Sequence, residues 1–249
     1  MSNGFTLVEI WRAMGPVAKA VVIILVLMSM YALGITVERL IAFRRSRRQS
    51  IGYIGMLQPL VTTPGRLREA MGLDQQWKHS PVARVIGSGI TEFVTAVQNL
   101  GTRADPAELE LVVDGVSRSM ARTKERELAN LRRGLAFLAT VSSSAPFVGL
   151  FGTVFGIITA FQSMASGEGQ GGLSTVSRGI SEALLTTAVG LAVAIMSVWF
   201  YNFFVTKVDD FTVDVDETAG EVLDGMMRSG RLVAAGAGGA GGTPRIPRC

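Results

Sequence analysis

Three uncharged windows dominate the chain: Ala20–Val37, Gly134–Gly167 and Ala183–Thr206, of 18, 34 and 24 residues. Each is long enough to cross a bilayer as a helix, which takes roughly 20 apolar residues. Ile51–Thr63 is too short and contains Pro59, so no fourth window qualifies. The pattern predicts spans over 17–43, 134–165 and 179–206.

Outside these windows the periodicity is amphipathic. Ser80-Pro81 and Asp105-Pro106 each set a capping side chain before a proline at the first helical position. From Asp105 onward Leu109, Val112, Val116, Met120, Leu128 and Leu131 trace one face, broken at Thr123, Lys124 and Glu127. Arg118, Arg122, Glu125, Arg126 and Arg132 occupy the opposite surface. This spacing predicts a helix running straight from Pro106 through the second span to Ala165. At 1.5 Å per residue it would be roughly 90 Å long. Pro146 is expected to bend it, with Ser142–Ser144 satisfying the carbonyls freed there.

Beyond the third span, seven acids fall between Asp209 and Asp224, with Val208, Phe211, Val215, Val222 and Met226 at helical spacing. An acidic helix over 207–233 is expected to pack against the basic helices of the long connection. The Gly/Ala/Pro-rich stretch over 234–249 is expected to be disordered. Residues 166–178, with four glycines between Gly167 and Gly172, are expected to form a flexible turn.

Charge placement orients the spans. Arg44, Arg45, Arg47 and Arg48 follow the first window, and Arg132 and Arg133 precede the second. Positive residues beside a span mark the cytoplasmic side. The connection over 44–133 and the C-terminus are therefore expected inside, and the turn and the N-terminus outside, despite Arg12 and Lys19. Residues 1–16 read as an amphipathic helix on the outer interface, anchored by Phe5, Val8, Ile10 and Trp11. Gly4-Phe5 with Glu9 imitates a pilin cleavage signature, but Arg12, Gly15, Pro16 and Lys19 break the apolar helix that a pilin needs. The first window ends in Glu38-Arg39, not in a small-residue cleavage site, which argues against a removable signal.

Within the membrane windows the small and polar residues are ordered. Gly149, Thr153, Gly156 and Ala160 lie four and three apart, hence on one helical face. Ala183, Thr187, Gly190 and Ala194 repeat that spacing in the third window. Small residues are where membrane helices approach closely, because lipid offers no hydrophobic reason to associate. The stripes fit close packing first, with each threonine bonded to its own backbone, and pore lining second; the two are compatible if several copies surround a central space. Glu182 is the carboxylate placed to enter a span, and intramembrane acids are functional candidates by default. It is either such a group or an interfacial partner of Arg178 one turn earlier. Glu182 and Thr187 are five residues apart, about 140° around a helix, so both do not point down one axis.

Composition narrows the remaining classes. The chain has 249 residues, is 48% apolar, and has mean hydropathy +0.37 and net charge +4. Its one cysteine, Cys249, rules out an internal disulfide framework or cysteine metal site; being the last residue, it is not a prenylation box. The one histidine, His79, has no evident ligand partners. The arginine cluster flanks a span and reads as topology, not as a nucleic-acid surface. No nucleophile–base pair, metal set or phosphate loop is evident, so an enzyme and a resident cofactor are not expected.

The stretch Ala145–Ala160, the stretch Gly179–Ile195, and Tyr201-Asn202 closely resemble the MotA/TolQ/ExbB proton-channel family. Glu38-Arg39-Leu40 with the arginines after it is similar to the family's first-span exit, and the three-span order to its TolQ/ExbB branch; flagellar stators of the MotA branch have four. The resemblance covers about 33–204. It implies an all-α membrane protein of three spans with long cytoplasmic helical extensions, assembled as a homopentameric ring in a bacterial inner membrane of Gram-negative type. The ring would enclose single-span TolR/ExbD-like partners, two of them, whose helix carries the titrating aspartate. Thr153 and Thr187 match the family's pore-lining threonines and Glu182 its membrane glutamate. Proton flow, worth about 2.3 kcal/mol per charge per 100 mV, would move the partner helices and do work on the envelope: uptake energisation, constriction or gliding motility. Arg178 is a candidate gating partner for Glu182.

Two other classes stand beside this one. A non-conducting helical scaffold would use the stripes only for packing. A solute transporter would show inverted repeats and broken helices around a midplane site, and no internal repeat is evident.

Overall fold

The computed structural model of the chain describes residues 11, 14–63, 66–100, 106–165 and 173–239. Their regular structure is entirely helical: α1 Pro16–Thr62, two short 3-10 turns at Leu67–Ala70 and Leu73–Gln76, α2 Pro81–Leu100, α3 Pro106–Arg132, α4 Leu135–Ala165 and α5 Leu173–Gly239. Helices α1, α4 and α5 are long and apolar enough to cross a membrane. The chain is a multi-pass, all-helical membrane protein.

It divides into two compact units, one of Met1–Arg39 with Arg133–Thr206, the other of Leu40–Arg132 with Lys207–Cys249. The first contains the three uncharged windows. Its core joins Val21 and Leu25 of α1, Val141 and Ala145 of α4, and Val193 and Ala194 of α5, with Met28, Phe137, Val148 and Val189 against it. Tyr31 and Phe137 meet edge to face at 4.5 Å. The opposite faces stay apolar and uncovered, as a surface facing lipid or other membrane helices requires: Leu27 and Met30 on α1, Phe147 and Phe151 on α4, Leu184 and Trp199 on α5.

The second unit buries the amphipathic faces. Leu109, Val116, Met120, Leu128 and Leu131 of α3 are inside, and so are Val208, Phe211, Val215, Val222 and Met226 of α5. The polar interruptions of the α3 face make bonds. Glu127 is buried and pairs with Arg84 of α2, Lys124 Nζ reaches Asp216 Oδ1 of α5 at 2.8 Å, and Thr123 Oγ1 donates to Ser119 O. The Lys124–Asp216 pair is one contact of the acidic segment with a basic helix. Ser80 caps α2 as its sequence indicates: Oγ accepts from Ala83 N–H at 3.0 Å and bonds Ser50 Oγ at 3.0 Å.

Several expectations are corrected. The continuous helix from Pro106 to Ala165 does not form: α3 ends at Arg132 and α4 starts at Leu135. Gly134 takes φ +84°, a left-handed conformation that only glycine adopts freely, and this breaks the helix. Phe137 N–H then bonds Gly134 O at 3.1 Å to start the next one. Helix α1 runs on beyond the predicted end of the first span at residue 43. It continues through the arginines to Thr62, where Pro59 falls in its last turn. The third span and the acidic segment are one helix, α5, which begins at Leu173 inside the expected turn and extends to Gly239 inside the expected disordered tail.

Helix α4 runs unbroken through Pro146. The carbonyl that this proline deprives of its donor is that of Ser142. The serine hydroxyls go elsewhere: Ser142 Oγ donates to Ala139 O, and Ser143 and Ser144 Oγ donate to Thr140 O. The expected interfacial helix at the N-terminus lies outside the described residues except for Trp11, Gly15 and Pro16, which are exposed, and Met14, which is buried.

Candidate functional site

The two small-residue stripes face each other within one chain. A Cβ at Gly190 of α5 would lie 2.7 Å from Ala145 O and 3.1 Å from Gly149 Cα. A Cβ at Gly149 would lie 2.9 Å from Thr186 O and 3.0 Å from Thr187 Cα. Further along, the Gly156 position meets Ala183 Cβ at 2.8 Å and the Gly179 position meets Ala160 Cβ at 2.5 Å. Backbones this close need residues without larger side chains. Ala194, the last stripe residue, sits in the apolar core with Val21 and Val141.

The threonines sit in this seam with unequal hydrogen bonding. Thr153 is buried, and its hydroxyl donates to Leu150 O at 2.7 Å on its own helix. Thr186 is completely buried; its Oγ1 lies 2.7 Å from Ala183 O and 3.1 Å from Gly149 O. Its single proton serves either its own helix or the seam. Thr187 Oγ1 is buried without any partner. A hydroxyl in that state is costly in an apolar setting.

Arg178 and Glu182 are brought together. Arg178 Nε donates to Glu182 Oε1 at 3.1 Å, one helical turn apart, with the guanidinium largely exposed and the carboxylate 16% exposed. Both line a cavity of about 710 Å³ with Thr159 and Ser163 of α4 and Gly15–Ala18 at the start of α1. Thr153 and Thr187 are not on its wall. Glu182 lines the cavity and Thr187 does not, in keeping with their angular separation.

Sequence reasoning overlooked Thr186, although its signal was present. Ala183, Thr186 and Gly190 are three and four apart, the same stripe spacing that singled out Thr187. Two adjacent threonines satisfy that rule equally, and only packing tells them apart. Thr159 and Ser163 were also overlooked; they are two of several hydroxyls in the second window, four residues apart.

The sequence profile of the MotA/TolQ/ExbB proton channel family matches residues 79–217. The chain is 30% identical over 218 residues to the biopolymer transport protein ExbB of Salmonella typhimurium, covering 83% of this chain and 80% of that protein. It is 44% identical over 125 residues to the Tol-Pal system protein TolQ of Pseudomonas aeruginosa, and 41% over 112 residues to that of Haemophilus influenzae. Those two matches span about half the length of each relative, 52% and 49%. The chain belongs to the MotA/TolQ/ExbB proton channel family, in its TolQ/ExbB branch.

Proposed function

We propose that this chain is the channel-forming subunit of a proton-motive-force-driven motor in a bacterial inner membrane. Several copies, five by family resemblance, surround the single membrane helices of TolR/ExbD-like partners. The N-terminus is outside and the C-terminus inside. Ion flow is coupled to work on the envelope, and the names of the relatives, Tol-Pal system and biopolymer transport, favour constriction or uptake over gliding as the load.

The observation that carries this reading is Thr187. Its hydroxyl is buried in a membrane helix with no hydrogen-bond partner among the described residues, and buried polar groups are almost always bonded. In the proposed assembly this hydroxyl orders water or bonds a partner's aspartate as it titrates. Glu182, held by Arg178 at the cavity wall, is the second candidate group on the ion pathway. No span of this chain contains an aspartate, so the relay needs one from a partner.

The test uses near-isosteric variants. Thr153→Val, Thr187→Val and Glu182→Gln are expected to abolish proton-driven work while assembly, measured by native gel or size exclusion, is retained. A scaffold whose stripes only pack would keep its function in all three.

A further inference from the structure

The cavity beside Glu182 is built from three helices of the membrane unit: the start of α1, the last turns of α4 and the first turns of α5. Its volume of about 710 Å³ far exceeds the roughly 10–15 Å³ of probe volume that one water needs. It is an open groove, with Thr159, Ser163 and Arg178 exposed on its wall, and water remains where polar groups offer it partners. Here the walls carry the Arg178–Glu182 ion pair and the hydroxyls of Thr159 and Ser163. Thr159 and Ser163 are four residues apart on α4, hence on one face. Thr159 Oγ1 donates its own proton to Gly156 O at 3.0 Å, which leaves its lone pairs to accept from water. Arg178 is 66% exposed and Glu182 16% exposed.

We propose that this cavity is a water-filled entry leading from the outer face to the Glu182 carboxylate, and that Thr159 and Ser163 position its water. The proposal rests on Glu182 being an ion-pathway group, and it adds the route by which that group is reached. A proton carried in along the water binds a Glu182 carboxylate oxygen, leaving neutral water behind. Its departure restores the carboxylate that Arg178 holds. Water enters within each subunit, on the α4–α5 flank, so each copy in an assembly has its own entry.

Cysteine accessibility in native membranes tests this, with the natural partners present. Cys249 is the chain's one cysteine, so Cys249→Ser gives a blank background for Thr159→Cys and Ser163→Cys. Phe151→Cys, on an exposed α4 position away from the cavity, is the control. The probe is a membrane-impermeant, charged methanethiosulfonate, which reacts with the thiolate and so requires water at the sulfur. Applied outside, it is expected to modify Thr159→Cys and Ser163→Cys at least about tenfold faster than the control. Rates no faster than the control, in variants that still assemble, would overturn the entry; so would modification from the inner side alone. Proton-driven work in Glu182→Gln, measured in parallel, separates the two claims. Unreactive thiols with work lost in Glu182→Gln remove the entry and leave the proposed function. Reactive thiols with work intact in Glu182→Gln show a wetted groove that does not feed the ion pathway, and overturn the entry as well.

Discussion

Gly190 and Gly149 face each other across α4 and α5, so close that a Cβ on Gly190 would stand 3.1 Å from Gly149 Cα and 2.7 Å from Ala145 O. The obstacle is backbone, which cannot rotate away as a side chain can. Gly190→Ala is expected to lower stability by about 1–3 kcal/mol, the usual range for overpacking, and Gly190→Leu to prevent accumulation. Thermal unfolding in detergent measures the first and membrane immunoblotting the second. Gly15, whose Cβ position meets nothing within 4 Å, should tolerate alanine.

Thr186 and Thr187 are neighbours whose substitution should have opposite consequences. Thr186 bonds Gly149 O across the seam, and such interhelical bonds in membranes average about 0.6 kcal/mol. Thr186→Val should cost about that much stability, Thr186→Ser should cost less, and both should keep proton-driven work. Thr187→Val removes a hydroxyl that has no partner, so stability should hold or rise while work is lost. Unfolding midpoints and a proton-dependent load assay on the same three variants check the contrast.

How much was legible in the sequence follows from what each signal measures. Charge-free windows report burial in lipid, and they located all three spans. Amphipathic spacing reports a buried face, and Leu109 to Leu131 and Val208 to Met226 were read correctly. Helix continuity was misread in both directions. The charge change near Lys207 alters the surroundings of α5 without altering its backbone, so one helix looked like two. Gly134 looked like any helical glycine, yet its left-handed φ separates α3 from α4. That choice depends on tertiary packing, including Ile35, whose Cγ2 lies 3.1 Å from the Gly134 Cβ position. The cavity wall was invisible because it joins positions far apart in the chain, from Gly15 to Glu182, through packing alone.

Tyr53 is fully buried on α1, past the apolar window, and its hydroxyl has no partner. Burial first, and the Asp74 carboxylate second, push its phenol well above the ordinary value of about 10. The folded state thus holds this proton more tightly than the unfolded chain does. The associated stability is complete below about pH 10 and is lost as pH rises toward the folded-state value. Denaturant titrations between about pH 9 and 11 should show this decline in the natural protein and a shallower one in Tyr53→Phe. At neutral pH, Tyr53→Phe should be neutral or stabilising, since no bond is lost.

Glu127, 9% exposed, is held by Arg84, whose second arm donates to Lys78 O at 2.6 Å. Arg84→Met leaves a buried carboxylate unpaired and should cost about 2 kcal/mol, below the fully buried range because Arg84 is 41% exposed. Adding Glu127→Gln removes the stranded charge and should recover much of that loss. Chemical denaturation of the two single variants and the double variant closes the cycle.

The central claim is that this chain forms an ion channel with a partner that supplies an aspartate. Native mass spectrometry of the protein, isolated from its own membrane in mild detergent, tests it most directly. The account predicts several copies of this chain, five by family resemblance, with a co-purifying single-span protein whose membrane helix carries an aspartate. Recovery as a lone monomer or dimer, with no such protein attached, would contradict it.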